Sequence, residues 1–79
     1  MENIKFVPNR FSRRIPYAYA RSKQVCIYAV EDDKVLLAVV DRIVPEVISE
    51  IKRKLNEPLK ITLIDPKIFD ALLSEAYSS

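Results

Sequence analysis

Residues 25–40, VCIYAVEDDKVLLAVV, contain two apolar runs separated by four charged residues. Both runs are rich in β-branched residues, which favours strands at Val25–Val30 and Val35–Val40 joined as a hairpin. The second run is apolar at every position, which predicts a central strand covered by helices on at least part of each side. Because the acidic turn Glu31–Lys34 has no glycine, we expect a four-residue loop built on a type I turn rather than a tight primed turn.

A short helix is predicted before the hairpin. Pro16 suits the first turn of a helix and the alanines after it favour continuation, so we place a helix over Pro16–Lys23. Tyr17 and Tyr19 point in different directions on such a helix, and we expect one in the core and the other exposed as an interface anchor. Residues 1–11 show no sustained periodicity, and we interpret them as a flexible N-terminal tail that orders only where something holds it down.

A longer helix is predicted after the hairpin. Pro45 lies in its first turn. One face carries an apolar stripe at helical spacing, which consists of Val44, Val47, Ile48, Ile51 and Leu55. The opposite face is mostly charged, as a solvated helix face is. This helix should therefore lay one side on the core.

The end of the sequence predicts a strand and then a helix. Leu59–Leu63 alternates apolar and polar residues, as a strand with one buried face does. Asp65 precedes Pro66, an arrangement that caps a helix with proline in its first turn. An apolar stripe at helical spacing follows, made of Ile68, Phe69, Leu72, Leu73, Ala76 and Tyr77. We expect Tyr77 to be a core anchor.

The elements in order are helix, strand, strand, helix, strand and helix. They predict a small α+β fold, an α/β two-layer arrangement around a mixed three-stranded sheet. The helix between the second and third strands makes a right-handed crossover if those strands are parallel. The chain has 79 residues, enough for one domain at most. We assign that domain to residues 12–79.

The composition narrows the chemistry. With no glycine the chain contains neither a dinucleotide turn nor a phosphate loop, and with no histidine it lacks the commonest general base and zinc ligand. The lone Cys26 lies in an apolar run, where cysteine packs as a small hydrophobe more often than it reacts. The acidic residues at 31–33 suit a turn better than a metal site. We therefore expect no catalytic residue, metal site or cofactor in these residues.

Charge is distributed unevenly along the sequence. Residues 1–24 carry a net charge of +5 and the remainder carries −3. A basic segment of this kind attracts nucleic acid, acidic lipid or an acidic protein face, or it is simply a solvated end. No apolar stretch reaches the roughly 18 residues that span a bilayer, and the N-terminus lacks the hydrophobic region of a secretory signal. We expect the protein in a reducing cytoplasm.

Three segments resemble one family, the N-terminal domain of the type II secretion ATPase, the general secretory pathway protein E. The segments are Arg13–Arg21 (RRIPYAYAR), the hairpin Val25–Asp41, and the closing strand and helix Leu59–Tyr77. The resemblance covers residues 12–78. Related pilus-assembly ATPases usually have proline directly after the aspartate that closes the second strand. Here Asp41 is followed by Arg42, which favours the secretion branch.

The resemblance implies that these residues are a fragment of a longer hexameric ATPase, whose catalytic core binds ATP and Mg²⁺. In the family this domain binds the cytoplasmic portion of the inner-membrane protein L, which places it in the cytoplasm at the inner membrane, with only indirect membrane contact. We expect the first helix and the residues before it to meet that partner. The predicted partner-binding residues are Arg13, Arg14, Ile15, Pro16, Tyr17 and Arg21.

Three other functions stay open at this point. The basic segment with Phe11, Tyr17 and Tyr19 fits nucleic-acid binding weakly, because only Tyr28 of the predicted sheet offers a stacking surface. Sensing of a cyclic dinucleotide is a second alternative, although the glycine-containing motif of the relatives that bind one is absent. The third is a docking domain of a type IV pilus assembly ATPase.

Overall fold

A computed structural model describes residues 4–40 and 44–78. Its elements are α1 (Tyr17–Lys23), β1 (Val25–Glu31), β2 (Lys34–Val40), α2 (Pro45–Leu55), β3 (Leu59–Ile64) and α3 (Pro66–Ala76). The predicted order of three helices and three strands is confirmed. Asp41, where the sequence departs from the pilus-assembly relatives, lies outside the described residues.

The three strands form one mixed sheet in the order β1-β2-β3. β1 and β2 are antiparallel neighbours, whereas β2 and β3 are parallel, with Val35 opposite Leu59 and Val40 opposite Ile64. The register of β1 shifts between Ile27 and Ala29, which makes a bulge at this point of the strand. The prediction that the second strand lies at the centre of a small α+β fold is therefore confirmed.

The turn between β1 and β2 differs from the prediction. Glu31 pairs with Lys34, so only Asp32 and Asp33 form the loop, with φ angles of 51° and 63°. Two central residues with positive φ define a primed turn of type I′, and the expected type I loop is wrong. The twist of a type I′ turn matches the right-handed twist of the paired strands, and aspartate tolerates the left-handed region better than most residues.

The core surrounds β2 on both sides. Every residue from Val35 to Val40 is buried, as a strand covered on both faces requires. Each helix adds apolar side chains to the same cluster, including Ala20 from α1, Ile51 from α2 and Phe69 from α3. Cys26 also belongs to this cluster, as its apolar neighbours predicted.

Three residues of the predicted apolar stripes are exposed instead. Val44 is the N-cap of α2, and its extended backbone precedes the first helical turn. Leu63 is 56% exposed, because β3 is an edge strand with β2 on one side. Ile68 lies in the first turn of α3 and is also exposed. Periodicity identified these helices and this strand correctly but overestimated the width of their buried faces.

The segment before α1 contacts the sheet and the core. The backbone N–H of Val7 donates to the carbonyl of Tyr28 at 2.7 Å, and Ile4 and Phe6 pack against the core cluster. Phe11 is buried. These contacts are of the kind that would hold the predicted tail down.

Candidate functional site

A tight turn places the arginines ahead of α1. Asn9 organises this turn, because its Oδ1 accepts from the N–H of Phe11 at 3.0 Å and its carbonyl accepts from the hydroxyl of Ser12 at 3.1 Å. Ser12 is buried beside Phe11, so the turn is anchored from inside. Arg13 and Arg14 follow this anchored turn and are both exposed.

Two tyrosines meet where α1 begins and α3 ends. Tyr17, in the first turn of α1, packs edge-on against Tyr77, with ring centroids 5.3 Å apart and an interplanar angle of 77°. Edge-to-face aromatic pairs contribute about 0.5–1.5 kcal/mol beyond their buried area. Tyr17 keeps 46% of its surface exposed, while Tyr77 is half-buried. The pair therefore offers a fixed aromatic surface to solvent.

Two arginines flank this tyrosine pair. Arg21 lies one helical turn after Tyr17 and donates to the Tyr17 hydroxyl at 3.2 Å. Arg13 donates through Nη2 to the carbonyl of Ser78 at 2.6 Å, next to Tyr77. We call the four side chains of Arg13, Tyr17, Arg21 and Tyr77 the Tyr17 patch. It joins three of the predicted partner-binding residues to the far end of the chain.

A buried hydrogen bond holds the patch in place from below. The Tyr77 hydroxyl donates to the carbonyl of Ile15 at 2.5 Å. Burial is the main cause that raises the pKa of Tyr77 to about 12, with a smaller contribution from Cys26, while Arg13 opposes the rise. The phenol therefore keeps its proton at neutral pH and remains a donor.

The other predicted site residues lie elsewhere. Ile15 is only 2% exposed, so its side chain is part of the core and cannot belong to a partner-binding surface in this fold. Pro16 is exposed and precedes α1 as its N-cap residue. The Arg14 guanidinium lies 5.8 Å from the centroid of the Phe11 ring, within the range of a cation–π contact.

Two residues weighed for other roles have structural ones. Burial raises the pKa of Cys26 to about 12, which leaves almost no thiolate at neutral pH. Tyr28 is half-buried, and its hydroxyl lies 3.3 Å from the hydroxyl of Thr62 on β3. Most of the Tyr28 ring is therefore tied to the sheet rather than presented to a base.

Sequence reasoning missed Tyr77 as a member of the exposed site. Its position in an apolar helical stripe correctly predicted packing against the core. Its contact with Ile15 spans 62 residues of sequence, and no local pattern reports a contact of that kind. The aromatic character of both Tyr17 and Tyr77, at opposite ends of the domain, was the available signal.

The fold and the patch define a small α+β domain that displays two tyrosines between two arginines. The family model for the N-terminal domain of GSPII protein E matches residues 14–77. The chain belongs to this family, the N-terminal domain of the type II secretion ATPase. No curated protein and no solved structure matches the chain. Among the described residues, no helix is long and apolar enough to cross a bilayer.

Proposed function

We propose that this domain is a docking module that recruits a type II secretion ATPase to the cytoplasmic domain of its inner-membrane partner, protein L. The Tyr17 patch is the observation that supports the proposal. It is exposed and ordered, and three of its members lie at the opening motif on which the family resemblance was strongest. The family match supports a part of a secretion ATPase.

The chemistry of the patch suits a protein partner. Tyrosine and arginine are among the residues that most often dominate the binding energy of interfaces. Tyr17 is held by Arg21 on one side and Tyr77 on the other, so little side-chain freedom remains to be lost on binding. In this proposal Tyr17 is the anchor, and Arg13 and Arg21 meet acidic groups of protein L.

The same proposal divides the labour within the parent protein. The domain binds and positions, whereas ATP and Mg²⁺ bind in the rest of the hexameric ATPase. Docking would hold the motor at the cytoplasmic face of the bacterial inner membrane through protein L, so that its movement supports protein secretion. The domain itself contributes no catalytic group.

Calorimetry with the purified cytoplasmic domain of the cognate protein L tests the proposal. We expect the chain to bind it, and Tyr17→Ala to weaken binding about tenfold or more, as the loss of an interface anchor does. Arg21→Glu should weaken binding further at low salt than at high salt, because charge contacts across an interface are screened.

Arg53→Glu is the matched control, since Arg53 is an exposed arginine on α2 outside the patch. It should leave the affinity close to that of the original chain. Absence of binding at tens of micromolar would contradict docking itself. Binding that R21E and R53E weaken equally would mean that net charge, and not the Tyr17 patch, attracts the partner.

A further inference from the structure

A second concave surface lies between α1 and α2, apart from the Tyr17 patch. This α1–α2 groove has a volume of about 190 Å³. Its walls come from the start of α1 on one side and the second half of α2 on the other, and they consist of Ile15, Pro16, Tyr19, Glu50, Ile51 and Lys54. None of these residues belongs to the Tyr17 patch.

The size and walls of the groove suit one apolar side chain. Ile15 and Ile51 are buried and form its base, and Pro16 and Tyr19 add further apolar surface. A cavity of about 150 Å³ with apolar walls accepts a molecule the size of benzene. The groove is therefore large enough for the side chain of a leucine, isoleucine or phenylalanine.

A hydrogen bond fixes the polar side of the groove. The Tyr19 hydroxyl donates to Oε1 of Glu50 at 2.5 Å and links the two helices. Burial, and then this bond and the negative charge of Glu50, raise the pKa of Tyr19 to about 12, so the donor keeps its proton. Glu50 is thus engaged within the domain, and Lys54, one turn further along α2, is an exposed cation at the rim.

The surroundings of the groove are basic. Residues 4–24, which supply the α1 side, contain six basic residues and no acidic one. On the other side, the last turn of α2 carries Lys52, Arg53 and Lys54. Complementary charge across an interface steers association and selects partners. An apolar side chain that enters this groove would therefore come from an acidic segment.

We infer that the α1–α2 groove receives one large apolar side chain from an acidic segment of the docking partner. The inference rests on the proposed function and adds a second contact to it, on the side of α1 away from Tyr77. A protein segment fits better than a bilayer, because the groove is narrow, is sized for a single side chain and is crossed by the hydrogen bond from Tyr19 to Glu50.

Methyl NMR gives the first test, with the cytoplasmic domain of protein L as the probe. The methyl resonances of Ile15 and Ile51 should shift on complex formation, because both side chains line the groove. Those of Ile68, on the exposed side of α3, should stay in place. A complex that forms without shifts of Ile15 and Ile51 overturns the inference and leaves docking through the Tyr17 patch intact.

Charge reversal at the rim gives the second test. Lys54→Glu should weaken binding about five- to tenfold, because it places a negative charge beside an acidic segment. Lys67→Glu on α3 is the matched control, since it changes the net charge by the same amount at an exposed site outside the groove. Urea unfolding of both variants checks that each keeps the stability of the original chain.

The outcomes separate this inference from the proposed function. If the original chain does not bind protein L at all, the proposed function fails first. If it binds but K54E and K67E have equal effects, only the groove is overturned. If K54E releases the chain from phosphatidylglycerol vesicles while binding to protein L stays the same, the groove meets a membrane and the inference is wrong.

Discussion

Tyr77 shows how one side chain serves both the core and the surface. Its apolar ring belongs to a stripe that the sequence predicts, and its hydroxyl reaches the carbonyl of Ile15. The burial of Ile15 has the same origin, because it lies in an irregular segment where no periodicity separates buried from exposed positions. Sequence patterns therefore predicted which residue types matter near α1, and the contacts between distant segments decided which of them reach solvent.

The hydroxyl of Tyr77 can be tested directly. Tyr77→Phe removes the donor and leaves the carbonyl of Ile15 without it, so we expect the free energy of unfolding to fall by about 1–2 kcal/mol. Tyr17→Phe is the control, because its exposed hydroxyl can exchange its bond from Arg21 for water. Urea unfolding measures both. Equal losses would show that the bond from Tyr77 to Ile15 adds no stability of its own.

Helix starts were predictable and the hairpin turn was not. The cap of α3 depends on local chemistry, and Asp65 accepts from the N–H of Lys67 at 2.8 Å, as the Asp–Pro pair predicted. The turn depends on the twist of the strands that it connects, and this outweighs the poor suitability of aspartate for positive φ. α1 and α2 end in the same way, with Gln24 and Asn56 at φ angles of 58° and 56°.

The turn should therefore improve with residues that suit it. Replacing Asp32 with asparagine and Asp33 with glycine should raise the free energy of unfolding by about 0.5–1 kcal/mol, because the strain of two left-handed residues is relieved. Thermal unfolding of the double variant measures the gain.

Ala71→Gly supplies the opposite control for that experiment. Ala71 is exposed within α3, where glycine should cost about 1 kcal/mol. If glycine at position 33 also destabilises the protein, the turn is not strained.

The complete domain follows its predicted order, but its two surfaces depend on packing between helices. The sequence predicts each helix from its own periodicity, and the position of β2 from its uniformly apolar strand. Neither the Tyr17 patch nor the α1–α2 groove was predictable, because each joins side chains from elements far apart in sequence. The bond from Tyr19 to Glu50 shows the reason, since nothing near Tyr19 in the sequence specifies that α2 lies beside it.

Three groups raised in pKa predict how the whole domain responds to alkali. Tyr19, Cys26 and Tyr77 all have pKa values near 12 in the fold, against ordinary values of 10.0 for tyrosine and 9.0 for cysteine. Above those ordinary values the unfolded chain releases protons that the folded chain retains. Stability should therefore be fully present below about pH 9 and be lost as the pH rises towards 12.

The free energy of unfolding measured from pH 7 to 11 checks this expectation. Cys26 has the lowest ordinary pKa of the three, so Cys26→Ala should flatten the first part of the decline and leave the later part, which belongs to the tyrosines. An unchanged slope between pH 9 and 10 in C26A would show that the thiol does not contribute.

The four left-handed residues have an energetic counterpart outside the folded state. A chain without a single glycine has fewer backbone conformations open to it when denatured, by about 0.4–1 kcal/mol for each position where another protein would carry glycine. Strain at Gln24, Asp32, Asp33 and Asn56 is thus offset by a less disordered starting ensemble. Part of the stability of this small domain lies in the stiffness of its unfolded chain, where no contact in the structure records it.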